Sequence, residues 1–163
     1  MSKPFLAAFG AAVVVIGALI WLGFSNTAGN HLEPTGRIGK VRTVKASDDL
    51  TYMVIDFNVK NDSDRDMVVR SIDVTTDSGD GLTGSLVSAS DADAAFRAYP
   101  LLGERFNDAL KVNDKVPAHQ TVDRMVGVRF DAPFDKVEAR KSVTLRIEDV
   151  TGPVVQMIKI DLK

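Results

Sequence analysis

Leu50 to Lys60 reads LTYMVIDFNVK, and this run decides the fold of the 163-residue chain. Met53, Ile55, Phe57 and Val59 alternate with Val54, Asp56, Asn58 and Lys60. A period of two puts alternate side chains on opposite faces of a strand, so one face is core and the other is partly polar. Asn61-Asp62-Ser63-Asp64 follows as a turn, because Asn and Asp side chains hydrogen-bond back to their own backbone there.

The same signal recurs on either side. Arg37 to Ala46 predicts a first strand with Ile38, Val41 and Val44 as apolar members, and its imperfect alternation suits an edge. Met67 to Thr75 predicts the next, with Val68, Ile72 and Val74 on one side. After the Asp77 to Gly81 turn cluster, Leu82 to Ser88 predicts a short strand. Thr121 to Phe130 places Val122, Val126, Val128 and Phe130 on one face, and Ser142 to Val150 turns Val143, Leu145 and Ile147 inward. Val154 to Leu162 closes the series with Ile158, Ile160 and Leu162. About seven strands on short turns, with no βαβ alternation and no fixed-period repeat, predict an all-β, immunoglobulin-like antiparallel β-sandwich over 36–163.

One stretch departs from the pattern. Ser90 can cap a helix running from about Asp91 to Tyr99 and stopping before Pro100, and the acids at its start suit the helix dipole. Leu101 to Leu110 can add a second helical turn. This helical insertion, about 90–106, gathers Phe96, Tyr99, Leu101, Leu102 and Phe106. The simplest expectation is that these five cover an open side of the sandwich. The sharper one is that part of the patch stays exposed and binds a partner or an apolar ligand.

At the other end, Phe5 to Phe24 is twenty residues without a charge. At ~1.5 Å per residue such a helix spans ~30 Å, about the hydrocarbon thickness of a bilayer. A signal peptide has a shorter apolar core of about 7–15 residues. Gly23-Phe24-Ser25 could still serve as its cleavage site, but the length favours a retained anchor. Lys3 precedes the run and the next basic residue is Arg37, so the positive-inside rule keeps 1–4 in the cytoplasm and exports the remainder. Ala7, Gly10 and Gly17 fall on one helix face, where a second helix could pack closely. Residues 25–35 then form a polar tether. The expected location is the inner (cytoplasmic) membrane, single-pass, with the C-terminal domain periplasmic or extracellular.

Three stretches together resemble the telokin-like bacterial domains of unknown function. They are Tyr52 to Asn61, the Asp80-Gly81 region, and Val116 to Val122 running into Gly127 to Pro133. The resemblance implies an exported immunoglobulin-like sandwich, often behind a signal, lipid or membrane anchor, with no catalytic residues to carry over. His119 stands where that family usually has Gly.

Chemistry is sparse. There is no cysteine, so no disulfide, thiol reaction or cysteine-held metal is available. The two histidines, His31 and His119, have no partner at a fixed spacing. The acids Asp62, Asp64 and Asp66 lack a calcium-loop frame, and Asp93–Arg97 reads as a solvated i,i+4 pair. All 22 acidic residues but only 19 of the 20 basic ones lie beyond the apolar run, giving the exported part −3 and no basic footprint for nucleic acid. No cofactor, metal or catalytic residue is assigned. The expectation is a non-enzymatic, membrane-anchored binding or accessory subunit that contacts a protein partner in the cell envelope. The alternative is a carrier or sensor of a small apolar ligand or lipid. A third, an unrecognised enzyme, would rest on Asp91 and Asp93.

Overall fold

The computed structural model describes residues 13–18, 34–78 and 81–160. The chain divides into two units, Met1–His31 and Leu32–Lys163. In the first, residues 13–18 are helical and Val13 to Ile16 are exposed. No helix among the described residues is long and apolar enough to cross a membrane. Most of the 5–24 run, with Ala7 and Gly10, lies outside the described residues, as does nearly all of the tether. Gly17 lies inside them, with no atom within 4 Å of the place a Cβ would take.

The second unit is built from antiparallel strands. They are β1 (Thr35–Ser47), β2 (Leu50–Asn61), β3 (Met67–Thr76), β4 (Leu82–Leu86), β5 (Lys115–Val116), β6 (Gln120–Phe130), β7 (Ser142–Asp149) and β8 (Val154–Ile160). Two short helices interrupt them, α1 (Ala89–Ala98) and α2 (Phe134–Glu138), with a 3-10 turn at Pro100–Leu102. The pairing order is β1-β2-β6-β4-β3-β7-β8, with β5 beside β3. The result is an all-β sandwich with a barrel-like continuity. The continuity comes from β4, which pairs with β3 through 82–84 and with β6 through 85–86. A strand that changes sheets closes one end of a sandwich.

The alternation of β2 explains the core. Met53, Ile55, Phe57 and Val59 all point inward and are buried. They meet Val126, Val128 and Phe130 of β6 and, across the sandwich, Val74, Leu145 and Ile147. Each such side chain contributes roughly 1.5–3 kcal/mol on burial. Asn61 ends β2 wholly buried, and its side-chain amide donates to Arg65 O at 2.7 Å and Val116 O at 3.0 Å. That amide ties the β2–β3 turn to β5. The following turn holds His119 at φ 57°, a left-handed conformation natural to glycine. His119 Nε2 lies 2.9 Å from Asp64 Oδ1, and Asp66 accepts from Ala118 N at 3.2 Å.

Several expectations are corrected. A register shift between Val69 and Ser71 puts Met67 and Val69 on the same side as Ile72 and Val74, so Val68 faces outward. A shift between Ile38 and Lys40 likewise brings Ile38 and Val41 to the core side, while Val44 faces the other way and joins a second apolar cluster. Ser88, not Ser90, caps α1, accepting from Asp91 N at 3.1 Å, so the helix starts two residues earlier than expected. The α2 turn has no counterpart in the expected elements. Ile158 and Ile160 face solvent while Val155 and Met157 fill the core side, and Leu162 lies outside the described residues.

Candidate functional site

The partly polar face of β2 is not open to water. Val54 and Asp56 point outward from the sandwich, yet both are buried. The insertion lies over them. Val44, Val54 and Met125 on the sheet pack against Ala92, Ala95 and Leu102, forming a second, smaller apolar cluster. Gly127 of β6 makes the approach possible: a Cβ there would stand 2.6 Å from Val87 Cγ2 and 3.3 Å from Ala92 Cβ.

At the centre of this contact is an ion pair that sequence reasoning did not single out. Arg42 of β1 and Asp56 of β2 are each 7% exposed and bond at 2.6 Å. The register pairs Lys40 with Asp56, so Arg42 reaches its partner along the diagonal. The same guanidinium donates to Leu102 O at 2.6 Å and Glu104 O at 2.7 Å. Asn107 Nδ2 donates to the other Asp56 oxygen at 3.1 Å. Phe96 and Phe106 lie against the guanidinium at 5.1 and 5.5 Å, and Lys40 lies 5.8 Å from the Phe106 ring centroid. Arg42 Nε has no acceptor among the described residues.

A charge pair buried this way costs desolvation that its own attraction does not always recover. Here the guanidinium also holds two loop carbonyls and two aromatic rings, so its effect is to fix where residues 96–106 sit. Little in the sequence marked it, because Arg and Asp at outward positions of strand-forming runs also suit a solvated face, as Arg70 and Asp73 of β3 do.

The five expected patch residues separate into two groups. Leu102 is wholly buried, and Phe96 and Tyr99 are half-buried in the second cluster, with the Tyr52 and Tyr99 ring centroids 5.9 Å apart. Leu101 is 87% exposed and Phe106 62% exposed. The insertion therefore both covers the sheet and offers an apolar pair outward. Asp93 pairs with Arg105 and not with Arg97, and Arg105 also reaches Asp108 at 3.0 Å, bracing the loop after α1.

The node is not arranged for acid–base work, since both Asp56 oxygens are already held by Arg42 and Asn107. The Asp62, Asp64 and Asp66 side chains are engaged with Lys60, His119 and the Ala118 amide. Among the described residues no group of three or more His, Cys, Asp or Glu is placed to hold a metal ion. His31 lies outside the described residues.

No protein-family model matches the chain, and no curated protein matches it in sequence. Among solved structures, a functionally unknown protein from Listeria monocytogenes EGD-e is similar over 81% of this chain and 79% of its own, at 12% identity and a TM-score of 0.45. An uncharacterized β-sandwich protein from Clostridium difficile 630 is similar over 79% and 87%, at 13% identity and a TM-score of 0.38.

Proposed function

We propose that this chain is a non-enzymatic binding or accessory subunit, an immunoglobulin-like sandwich of the telokin-like kind, anchored in a membrane by residues 5–24 and exposed to the cell envelope. The strand order supports the immunoglobulin-like assignment: β1-β2-β6-β4 and β3-β7-β8 correspond to the ABED and CFG sheets of that fold. The twenty-residue uncharged run and the absence of basic residues between Lys3 and Arg37 support the anchor and its orientation.

The observation that carries a partner-binding role is the combination of a pinned loop and an exposed apolar pair. Arg42 fixes the backbone on both sides of Gly103, while Leu101 and Phe106 remain in water. A preorganised apolar pair loses little conformational entropy on docking, which is where loops otherwise lose affinity. The protein partner would cover Leu101 and Phe106.

The test is purification of the full chain from native membranes in mild detergent, beside Leu101→Asp/Phe106→Asp, with mass spectrometry of what remains bound. The expected result is one or more stoichiometric polypeptides with the native chain and their loss with the variant. Retention of the same polypeptides by the variant would move the contact elsewhere, and a chain that purifies alone would remove the partner reading.

A further inference from the structure

We propose a second binding site, for an anionic amphiphile with one short acyl tail, in the gap where the insertion leaves the sandwich and returns to it. The chain leaves after Leu86 and re-enters at Ala109, whose bridge to Met125 is parallel where the strand ladders are antiparallel. Leu110 N bonds to Met125 O at 2.8 Å, and Asn113 N bonds to Val69 O at 2.7 Å. The returning segment thus crosses from β6 to β3. Because β4 has already swung over to β6, no strand fills the space between the two crossings.

That space is a pocket of about 270 Å³. Its floor is the sandwich core, at Ile72 and Val126, and its rim carries Leu86 and Val112. Leu86 is 40% exposed and Val112 50% exposed. Apolar side chains therefore run from the core to the surface without a partner covering them.

Beside it lies a second pocket of about 500 Å³ that shares Ala89, Ala109 and Lys111 with the first. Its walls are charged. Asp93 and Asp108 are both engaged by Arg105, and Asp114 Oδ2 accepts from Lys111 N at 2.9 Å. Lys111, Lys115 and Arg124 have no carboxylate at ion-pair distance among the described residues, and Arg124 donates only to the Asp123 carbonyl. The lining holds four cations against three carboxylates, so an apolar slot beside a pocket of net positive charge matches a molecule with an apolar tail and an anionic head.

The pocket is small and open to the surface, which suits a short tail, and an eight-carbon chain serves as the probe. The head can be a carboxylate, as in a free fatty acid, or a phosphate, as in a lipid headgroup. Neither Leu101 nor Phe106 lines either pocket, so the site stands independently of the partner reading.

The test uses the full chain in nanodiscs of zwitterionic phosphatidylcholine, with empty discs as reference. Octanoate, octyl phosphate and octanol are titrated and followed by ligand-observed NMR. Saturable binding of octanoate or octyl phosphate above the reference is expected, and the tighter of the two identifies the head. Lys111→Glu/Lys115→Glu weakens both anions about tenfold or more and leaves octanol unchanged. Val112→Asp weakens all three. Lys111→Gln/Lys115→Gln provides a milder variant, and an unchanged melting midpoint confirms folding. The proposal is overturned by no saturable binding up to about 10 mM. Anion binding indifferent to both lysine variants, or octanol binding as tightly as octanoate, overturns it equally.

Discussion

Replacing Arg42 by Met tests whether the ion pair fixes the insertion. The substitution keeps an unbranched apolar stem and removes three hydrogen bonds, to Asp56, Leu102 O and Glu104 O. It leaves the Asp56 carboxylate 7% exposed with Asn107 as its remaining partner. Breaking a buried pair from one side costs about 3–5 kcal/mol, chiefly through the stranded charge. Against a domain stability of about 5–15 kcal/mol this is a large share. The loss is not spread evenly, because the Arg42 side chain bonds to Asp56 and to the insertion. The insertion opens first, while β2 and β6 amides keep the protection of global unfolding. Hydrogen exchange reads this directly at the Tyr99, Leu102 and Gly103 amides, which close the end of α1 and the 3-10 turn. Near-ultraviolet circular dichroism provides a second measure, since both tyrosines, Tyr52 and Tyr99, meet at this contact with their rings tilted by 42°. Arg42→Met/Asp56→Leu removes both charges and recovers part of the loss, leaving two carbonyls without their donor. A single variant that loses under about 1 kcal/mol, with unchanged exchange at those three amides, would refute the reasoning.

Three further outcomes follow from other contacts. Asn61→Ala deprives two carbonyls of a buried amide donor and costs about 2–4 kcal/mol in urea unfolding, with the β2–β3 turn losing exchange protection. His119→Gly relieves a side chain held at φ 57° and gives up only an exposed contact to Asp64; the melting midpoint rises, by an amount worth up to about 1 kcal/mol. In the β1–β2 turn, Lys45 Nζ bonds Asp48 Oδ1 at 2.7 Å, which holds the Asp48 carboxyl below its ordinary value and the Lys45 amine above its own. The Asp48 contribution to stability is therefore present above the ordinary carboxylate range and is lost as pH falls through the folded value. The Lys45 contribution is present below the ordinary lysine range and is lost as pH rises through its folded value. Side-chain NMR titration of Asp48 reads the first of these, and Lys45→Met or high salt returns the carboxyl to its usual range.

The sandwich was legible because most of its strands bury one face, and a half-buried strand writes a period of two into its sequence. Met53, Ile55, Phe57 and Val59 show this, and so do Val143, Leu145 and Ile147. The pattern failed where the backbone itself slips. The shift between Val69 and Ser71 reverses the facing of Val68, and nothing in the residue types of Met67 to Ile72 marks it. The insertion was legible as a patch of aromatics but not as a device. Phe96 and Phe106 read as apolar surface, whereas they lie on a guanidinium contributed from more than fifty residues earlier. A partner that distant leaves no local spacing to detect. The gap between Leu86 and Ala109 was equally hidden, because it arises from β4 changing sheets, a property of pairing and not of side-chain order.

Arg42 also determines how the domain would carry a pull. A tether entering at Pro34 continues directly into β1, and the patch that would meet a partner hangs from β1 through Arg42. Tension between the two ends therefore reaches β1 through Arg42, in parallel with the main-chain bonds that hold the insertion to β6 at Gly127 and Met125. The β1–β2 ladder, paired from Thr35↔Lys60 to Ser47↔Leu50, takes such a load in shear, with its bonds stretched together and not opened one by one. Of these attachments the Arg42 contact rests on a single side chain, so it yields before the ladder does, and the loop would let go before the sandwich unravels.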